Sequence, residues 1–144
     1  MSVYSKEKPS YFTSSIESMV NQSLSPDEIV IVQDGPITDE LNEVIRTYEL
    51  KYPGLFTIVS LDKNVGLGKA LNEGLLKCRN ELVARMDTDD ISLVNRCELQ
   101  VEEFIKDKNL DIVGSNIDEF YDTPDEVVSS RVVPTDGSML QCRT

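Results

Sequence analysis

The feature that most constrains the fold is a regular alternation of short apolar runs with amphipathic stretches. Three runs are rich in β-branched and other apolar residues, as buried strands are: residues 28–34 (EIVIVQD), 55–61 (LFTIVSL) and 81–87 (ELVARMD). Each run is followed by a segment whose apolar residues recur with helical spacing. With a first strand ending at MSVY, these alternations predict an α/β fold. Its sheet is mostly parallel and Rossmann-like, with helices on both faces.

The predicted helices have recognisable first residues. Pro9 suits the first turn of one helix, and Thr38 can cap a second. Gly66 precedes a third helix, and Ser92 can cap a fourth. Two later strands are predicted within residues 111–122 (DIVGSNIDEFYD) and 127–134 (VVSSRVVP).

The composition excludes several classes of site. The 144 residues carry 26 acidic and 14 basic side chains, a net charge of −12, which argues against nucleic-acid binding. Three cysteines, at positions 78, 97 and 142, form no CxxC pair, so neither a disulfide framework nor a thiolate zinc site is expected. Cys97 is expected in the core. Histidine is absent, so a metal would need oxygen ligands, as Mg²⁺, Mn²⁺ and Ca²⁺ prefer.

Membrane and export signals are also missing from the sequence. No apolar stretch approaches the roughly 20 residues that span a bilayer. The N-terminal residues MSVYSKEKPS lack the apolar core of a signal peptide. We therefore expect a cytoplasmic protein without a membrane span, and this is compatible with peripheral association at the inner face of the membrane.

Chemically distinctive residues follow each predicted strand. They are Tyr4, Asp34, the NVG loop at residues 64–66 and the acidic stretch DTDD at residues 87–90. In an open parallel sheet, ligands bind outside the carboxyl ends of the strands. We therefore expect these residues to lie along one edge of the sheet.

The acidic stretch admits two interpretations. In an extended conformation, Asp87 and Asp89 point to the same side and can together hold a hard divalent cation. Such a cation would neutralise a diphosphate. Alternatively, the acids mark the start of a helix, with Asp90 or Ser92 serving that start. The residues alone leave both readings open.

Each of the remaining candidates also has two interpretations on residue chemistry. Asp34 can bind a ligand N–H or O–H, or it can be an ordinary turn residue. Lys69 can reach a phosphate or remain solvated. Tyr4 can stack on a base or pack at the rim of the core. Gly66 and Gly68 allow the backbone to approach a ligand, although they match neither a GxGxxG nor a Walker sequence.

The order of four motifs resembles glycosyltransferase family 2, whose members are inverting enzymes with the GT-A fold. The motifs are SVY, ESMVNQSLSPDEIVIVQDG, NVGLGKALNEGL and MDTDD, and the resemblance covers residues 1–135. It implies transfer of a sugar, with inversion, from a nucleotide-diphosphate donor, commonly UDP-linked. The implied acceptor is a growing glycan, often of a bacterial surface polysaccharide.

The resemblance also implies donor-binding residues. It places Tyr4 and Asp34 at the base or ribose, Asn64, Gly66 and Lys69 at the nucleotide, and Asp87, Thr88 and Asp89 near the ribose, the diphosphate and its metal. Asp89 is the implied ligand of Mn²⁺ or Mg²⁺.

The sequence departs from the family pattern at its beginning and at its end, and both departures limit the domain that we expect. The chain is expected to be a single GT-A nucleotide-sugar-binding domain, residues 1–144, that begins inside the first strand and lacks the acceptor-side part. No residue matches the family's general base, because Asp122, Asp125 and Glu126 resemble turn acids. We therefore expect this chain alone to be poorly active.

Three other functions were compared with this interpretation. A haloacid-dehalogenase-type phosphatase carries its DxD motif after the first strand, and a phospho-receiver domain carries an acidic pair there. Here the motif follows the fourth predicted strand, which argues against both. A non-catalytic nucleotide-binding module stays open as the alternative.

Overall fold

A computed structural model describes residues 1–121 and 123–133 of the chain, so Asp122 and Cys142 lie outside the described residues. The elements, in order, are β1 (Ser2–Val3), α1 (Pro9–Val20), β2 (Ile29–Gln33), α2 (Asp39–Lys51), β3 (Phe56–Ser60), α3 (Leu67–Leu75), α4 (Arg96–Lys106), β4 (Ile117–Phe120) and β5 (Val127–Arg131). The chain divides into two compact units, Met1–Leu99 and Gln100–Thr144.

The first unit is built on a parallel sheet with the strand order β1-β2-β3. Val3 pairs with Gln33, and Gln33 pairs with Ser60. The last residues of all three strands therefore lie level with one another. This arrangement confirms the predicted parallel sheet and defines one carboxyl edge.

Helices cover both faces of this sheet, as predicted. On one face, Ile29 and Ile31 belong to the buried cluster that contains residues of α1 and α2: Phe12, Ile16, Met19, Leu41, Ile45 and Tyr48. On the other face, a Cβ atom added to Gly74 of α3 would lie 2.8 Å from Val32 Cγ2. Strand β2 is therefore buried on both faces, as its continuous apolar run predicts.

Three of the four predicted helix starts are confirmed. Pro9 is the first residue of α1, and Gly66 directly precedes α3 with a φ of +89°. The Thr38 hydroxyl accepts a hydrogen bond from Leu41 N at 3.3 Å, which satisfies one free amide of α2.

The prediction of a strand over residues 81–87 is wrong. These residues, all within the described part of the chain, form no hydrogen-bonded ladder, and Leu82 and Val83 remain about half exposed. Side chains satisfy their backbone instead of a neighbouring strand. The Arg96 guanidinium donates to Arg85 O at 2.9 Å, and the Ser15 hydroxyl donates to Asp87 O at 2.8 Å.

The prediction that Ser92 caps the fourth helix is also wrong. Helix α4 begins at Arg96, and Ser92 instead donates its backbone N–H to the Ser18 hydroxyl at 3.0 Å. The first turn of α4 receives its acceptor from the segment that follows α1, because Cys97 N donates to Gln22 Oε1 at 2.9 Å. A side chain distant in sequence thus does what a local cap residue usually does. Cys97 is partly buried against the core cluster.

The second unit contains an antiparallel pair, β4 and β5, with Asp118 opposite Ser130. Strand β5 confirms its prediction, whereas the strand predicted from residue 111 begins only at Ile117. In neither described range is any helix long and apolar enough to cross a bilayer.

Candidate nucleotide and metal site

The carboxyl edge of the sheet brings the distinctive residues together. Tyr4 and Asp34 directly follow the paired residues Val3 and Gln33, and the loop after Ser60 begins at the same level. Thr88 joins them, because its hydroxyl lies 3.4 Å from Ser2 O. The edge predicted from the order of strands and motifs is therefore present in the first unit.

Asp34 is turned into the protein. Its carboxylate accepts Val65 N at 2.7 Å and Gly66 N at 3.1 Å, and its carbonyl accepts the Asn64 side-chain amide at 3.3 Å. The side chain is only 4 % exposed. Asp34 therefore fixes the NVG loop (residues 64–66) through charge-assisted hydrogen bonds.

Gly35 allows the NVG loop to approach the end of β2 closely. A Cβ atom at this position would lie 2.5 Å from Asn64 N and 2.8 Å from Lys63 C. Its φ of +84° also falls in the left-handed region that favours glycine. The D-G pair at residues 34–35 thus provides both the hydrogen bonds and the space that the loop needs.

The NVG loop leads into the start of α3. Asn64 and Lys69 are exposed and Gly66 is half-buried, so the loop and the first turn of α3 face solvent. Lys69 lines a shallow depression of about 210 Å³ together with Leu61, Val65, Asn72 and Glu73. Exposed backbone N–H groups at such a helix start, followed by a lysine, can receive an anion.

Tyr4 lies at the opposite end of the same edge. Its ring is 42 % exposed, and its carbonyl accepts Glu7 N at 3.1 Å, which closes a turn after β1. An aromatic ring that is half exposed at a sheet edge presents an apolar surface to a planar ligand.

The D-T-D turn (residues 87–89) alternates in burial as an extended segment would. Thr88 is 4 % exposed, Asp87 is half-buried, and Asp89 is exposed. The Thr88 hydroxyl donates to Glu7 Oε2 at 2.7 Å, so this side chain anchors the turn to the segment after β1. Asp89 is left facing outward, which suits a ligand-binding carboxylate.

Two arginines at this turn were not predicted from the sequence. Arg85 Nη2 lies 2.8 Å from Asp87 Oδ2 and 2.9 Å from Oδ1. Arg96 holds the preceding residues through Arg85 O at 2.9 Å and Met86 Sδ at 3.3 Å. The spacing of Arg85 two residues before Asp87 was a usable signal, because extended residues i and i+2 share a side.

Negative charge accumulates around the turn. Burial raises the pKa of Asp90, and the neighbouring charges of Asp89 and Asp87 raise it further, while Arg96 and Arg85 act in the opposite sense. Asp89 and Asp90 would therefore attract a cation bound here, while Arg85 pairs with Asp87.

The donor set fits a hard divalent cation. Among the described residues, no group of three or more acidic or cysteine side chains could hold a metal ion. Magnesium commonly uses one or two carboxylates and takes its other ligands from water and substrate phosphates. Asp89, with Asp87 beside it, matches that pattern of ligands.

Comparison with known proteins gives matching results. A family model described as glycosyl transferase family 2 matches residues 1–141. An uncharacterized glycosyltransferase of Haemophilus influenzae is 44 % identical over 97 % of this chain and 52 % of its own length. A UDP-Gal:alpha-D-GlcNAc-diphosphoundecaprenol beta-1,3-galactosyltransferase of Escherichia coli is 36 % identical over 98 % of this chain and 50 % of its own length. The chain thus spans about half the length of these curated relatives.

A solved structure shares the fold. The crystal structure of S. aureus TarS matches 73 % of this chain and 18 % of its own chain, with a TM-score of 0.62 and 25 % identity. This likeness confirms the fold class predicted from the sequence.

Proposed function

The chain belongs to glycosyl transferase family 2, and on that premise we propose that its first unit binds the nucleotide-diphosphate part of a sugar donor. The single observation that carries this proposal is the carboxyl edge of the sheet. There Tyr4 and the NVG loop follow strands whose ends are level, and the Thr88 hydroxyl of the D-T-D turn lies 3.4 Å from Ser2 O. An open parallel sheet binds its ligands at this edge.

We assign the donor contacts from the exposure of each group. The half-exposed ring of Tyr4 stacks on the base, and Asn64 with the Gly66 backbone lies by the nucleotide. Lys69 directs its exposed cationic side chain toward a phosphate. Asp34 acts through the loop, because its carboxylate is buried against Val65 N and Gly66 N.

The diphosphate requires a counter-charge at the D-T-D turn. Asp87 and Asp89 would repel an anionic donor that approached them directly. We propose that Asp89, with Asp87 nearby, holds Mn²⁺ or Mg²⁺ and that Thr88 fixes the turn. When bound, the cation neutralises charge on the departing diphosphate.

The chain's own residues then orient the donor for transfer. The D-T-D turn and Lys69 hold the diphosphate where negative charge develops as the glycosidic bond breaks, which favours the transition state over the ground state. An acceptor hydroxyl attacks from the opposite side of the sugar, which inverts the anomeric carbon. That attack needs a general base, and we assign none among the described residues.

Family membership also supports a proposal for the substrates of the whole protein. We propose a UDP-sugar donor and a glycan acceptor in bacterial surface-polysaccharide biosynthesis. The E. coli relative bears the name of an enzyme with a UDP-Gal donor and a diphosphoundecaprenol-linked acceptor. A lipid-linked acceptor of that kind would bring the protein to the inner face of the membrane. Family membership favours a transferase over the non-catalytic nucleotide-binding module.

Thermal stabilisation by nucleotides tests this proposal. We expect UDP with Mn²⁺ to raise Tm more than UDP with EDTA, and more than Mn²⁺ alone. At a hundredfold excess over Kd, binding adds about 2.7 kcal/mol of stability. For a domain of this size, that amounts to several degrees.

A panel of UDP, GDP and their sugars identifies the donor in the same experiment. Stabilisation by GDP instead of UDP would correct the proposed nucleotide and leave the site in place. No metal-dependent stabilisation by any nucleotide diphosphate would contradict the proposed function.

A further inference from the structure

Three polar side chains, two on α1 and one just after its end, hold the segment that contains the D-T-D turn. They are Ser15, Ser18 and Gln22, and we call them the α1 seam. We propose that the α1 seam positions the D-T-D turn for cation binding, which makes these three residues positioning residues. The proposal rests on the proposed function and gives a role to residues for which the family resemblance implies none.

The segment from residue 82 to residue 95 needs such support because it has neither helix nor strand. Buried backbone N–H and C=O groups must find partners, and a segment outside regular structure cannot find them in a ladder. Its partners must therefore come from side chains or from other parts of the chain.

The seam supplies partners at both ends of the turn. Ser15 Oγ donates to Asp87 O at 2.8 Å, which fixes the first residue of the turn. After the turn, Ser18 Oγ accepts Ser92 N at 3.0 Å. These two contacts bracket Thr88, Asp89 and Asp90, so the acidic residues lie in a short span anchored at each end.

Gln22 continues the seam to the start of α4. Its Nε2 atom donates to Leu93 O at 2.8 Å, and its Oε1 atom accepts Cys97 N at 2.9 Å. One amide side chain thus joins the end of the α1 segment to the residues after the turn and to the first turn of α4. Both halves of the amide are used, so neither a shorter nor a purely apolar side chain could replace it.

Burial makes these contacts specific. Ser15 is fully buried, Gln22 is 5 % exposed, and Ser92 is 7 % exposed. A buried polar group left without a partner is costly, so the segment has one favoured position on α1. Ser15 and Ser18 follow helical spacing, i and i+3, beside the apolar stripe of α1, and Gln22 lies two residues beyond the end of that helix.

The contact at Asp87 links the seam to the cation site. Ser15 holds the carbonyl of Asp87, two residues before Asp89 in the turn. Removing that hydrogen bond loosens the backbone at Asp87 and hence the position of Asp89. Outer groups that orient metal ligands typically change metal affinity by about 10–100-fold when they are removed.

Calorimetric titration of the full chain with UDP, in Mn²⁺ and in EDTA, tests the seam. For Ser15→Ala we expect the affinity gained from Mn²⁺ to fall about tenfold, with the affinity in EDTA unchanged. Ser14→Ala is the matched control, because Ser14 is exposed and its hydroxyl donates to Ser10 O within α1. It should behave like the wild type.

If the Ser15 hydrogen bond only stabilised the fold, the titrations would give a different result. Equal losses in Mn²⁺ and in EDTA, or no loss in either, would overturn the positioning role. If Ser15→Ala does not fold, Ser18→Ala replaces it, because Ser18 is only half-buried and contacts the other end of the turn. The same loss of Mn²⁺ dependence is expected.

Hydrogen exchange separates failure of the seam from failure of the proposed function. Without nucleotide, Ser15→Ala should raise deuterium uptake across residues 87–93 relative to Ser14→Ala. If wild-type protein binds no UDP but uptake rises, the proposed function fails and the turn is still held by the seam. If uptake does not change, the seam does not hold the turn and the inference is wrong.

Discussion

Asp34 contributes to the proposed nucleotide site without facing a ligand. Its two carboxylate oxygens accept the amides of Val65 and Gly66, and its side chain is almost fully buried. The sequence pattern correctly predicted that Asp34 lies at the carboxyl edge of the sheet. It could not reveal the partners, because the NVG loop lies some thirty residues later and only the fold brings them together.

Replacing Asp34 should therefore destabilise the protein as well as weaken nucleotide binding. Asp34→Ala leaves two loop amides without their charged acceptor, so we expect a loss of about 2–3 kcal/mol in the free energy of unfolding. Asp34→Asn keeps one acceptor oxygen and should lose less. Urea denaturation measures both, with the exposed Asp62→Asn as control. Wild-type stability of Asp34→Ala would show that these hydrogen bonds contribute little.

Gly35 allows a second prediction with a close internal control. Gly35→Ala combines left-handed strain with a Cβ only 2.5 Å from Asn64 N, a backbone atom that cannot move aside. Gly54 has nearly the same φ, +83°, but nothing lies within 4 Å of its added Cβ. Gly54→Ala should lower the free energy of unfolding only through left-handed backbone strain, by about 1–2 kcal/mol.

The comparison of these two alanine variants isolates the effect of the NVG loop. We expect Gly35→Ala to have a clearly lower midpoint in urea than Gly54→Ala. Equal midpoints would mean that the loop moves away from β2 without cost, contrary to the close approach described above.

At the scale of elements, sequence patterns correctly predicted those helices and strands whose formation depends on residues close in the sequence. Apolar residues at helical spacing predict α1, α2 and α3, and a continuous apolar run predicts strand β2. Thr38 caps α2 by accepting the backbone N–H of Leu41, only three positions away. The segment around residues 82–95 behaved differently. Its apolar run suggested a strand and Ser92 suggested a cap, but side chains of α1 and Arg96 decide its conformation. Such partners are not visible in a local pattern.

The contact between α1 and α2 should make stability depend on pH in the alkaline range. Tyr48 OH donates to Glu17 Oε1 at 2.8 Å, and burial, followed by this hydrogen bond, raises the pKa of Tyr48 above its usual value. The unfolded chain loses the tyrosine proton near pH 10, while the folded chain retains it. The unfolded state then binds fewer protons, so stability falls as the pH rises above about 10.

Tyr48→Phe isolates this contribution. We expect the free energy of unfolding of the variant to fall less steeply than that of wild type between pH 9.5 and 11, roughly the range in which unfolded tyrosine titrates. Denaturant titrations at several pH values measure the slope. Identical slopes would show that Tyr48 titrates alike in the folded and unfolded states.

At the scale of the whole molecule, acidic residues lie at the carboxyl edge of the parallel sheet. The chain carries a net charge of −12, and the first unit gathers Asp87, Asp89 and Asp90 where a parallel sheet binds its ligands. Strand order and motif order were sufficient to predict this edge and the GT-A fold. They could not predict the hydrogen bonds from α1, Glu7 and Arg85 that determine how the turn is held.

The central claim is that a divalent cation at the D-T-D turn joins this chain to a nucleotide diphosphate. Its most direct test is titration calorimetry with UDP in Mn²⁺ and in EDTA, on wild type and Asp89→Asn. Glu49→Gln removes the same unit of charge near the end of α2, away from the carboxyl edge, and serves as control. We predict that Mn²⁺ strengthens UDP binding in wild type and in Glu49→Gln, and not in Asp89→Asn. Equal affinities with and without Mn²⁺, or full Mn²⁺ dependence in Asp89→Asn, would contradict the claim.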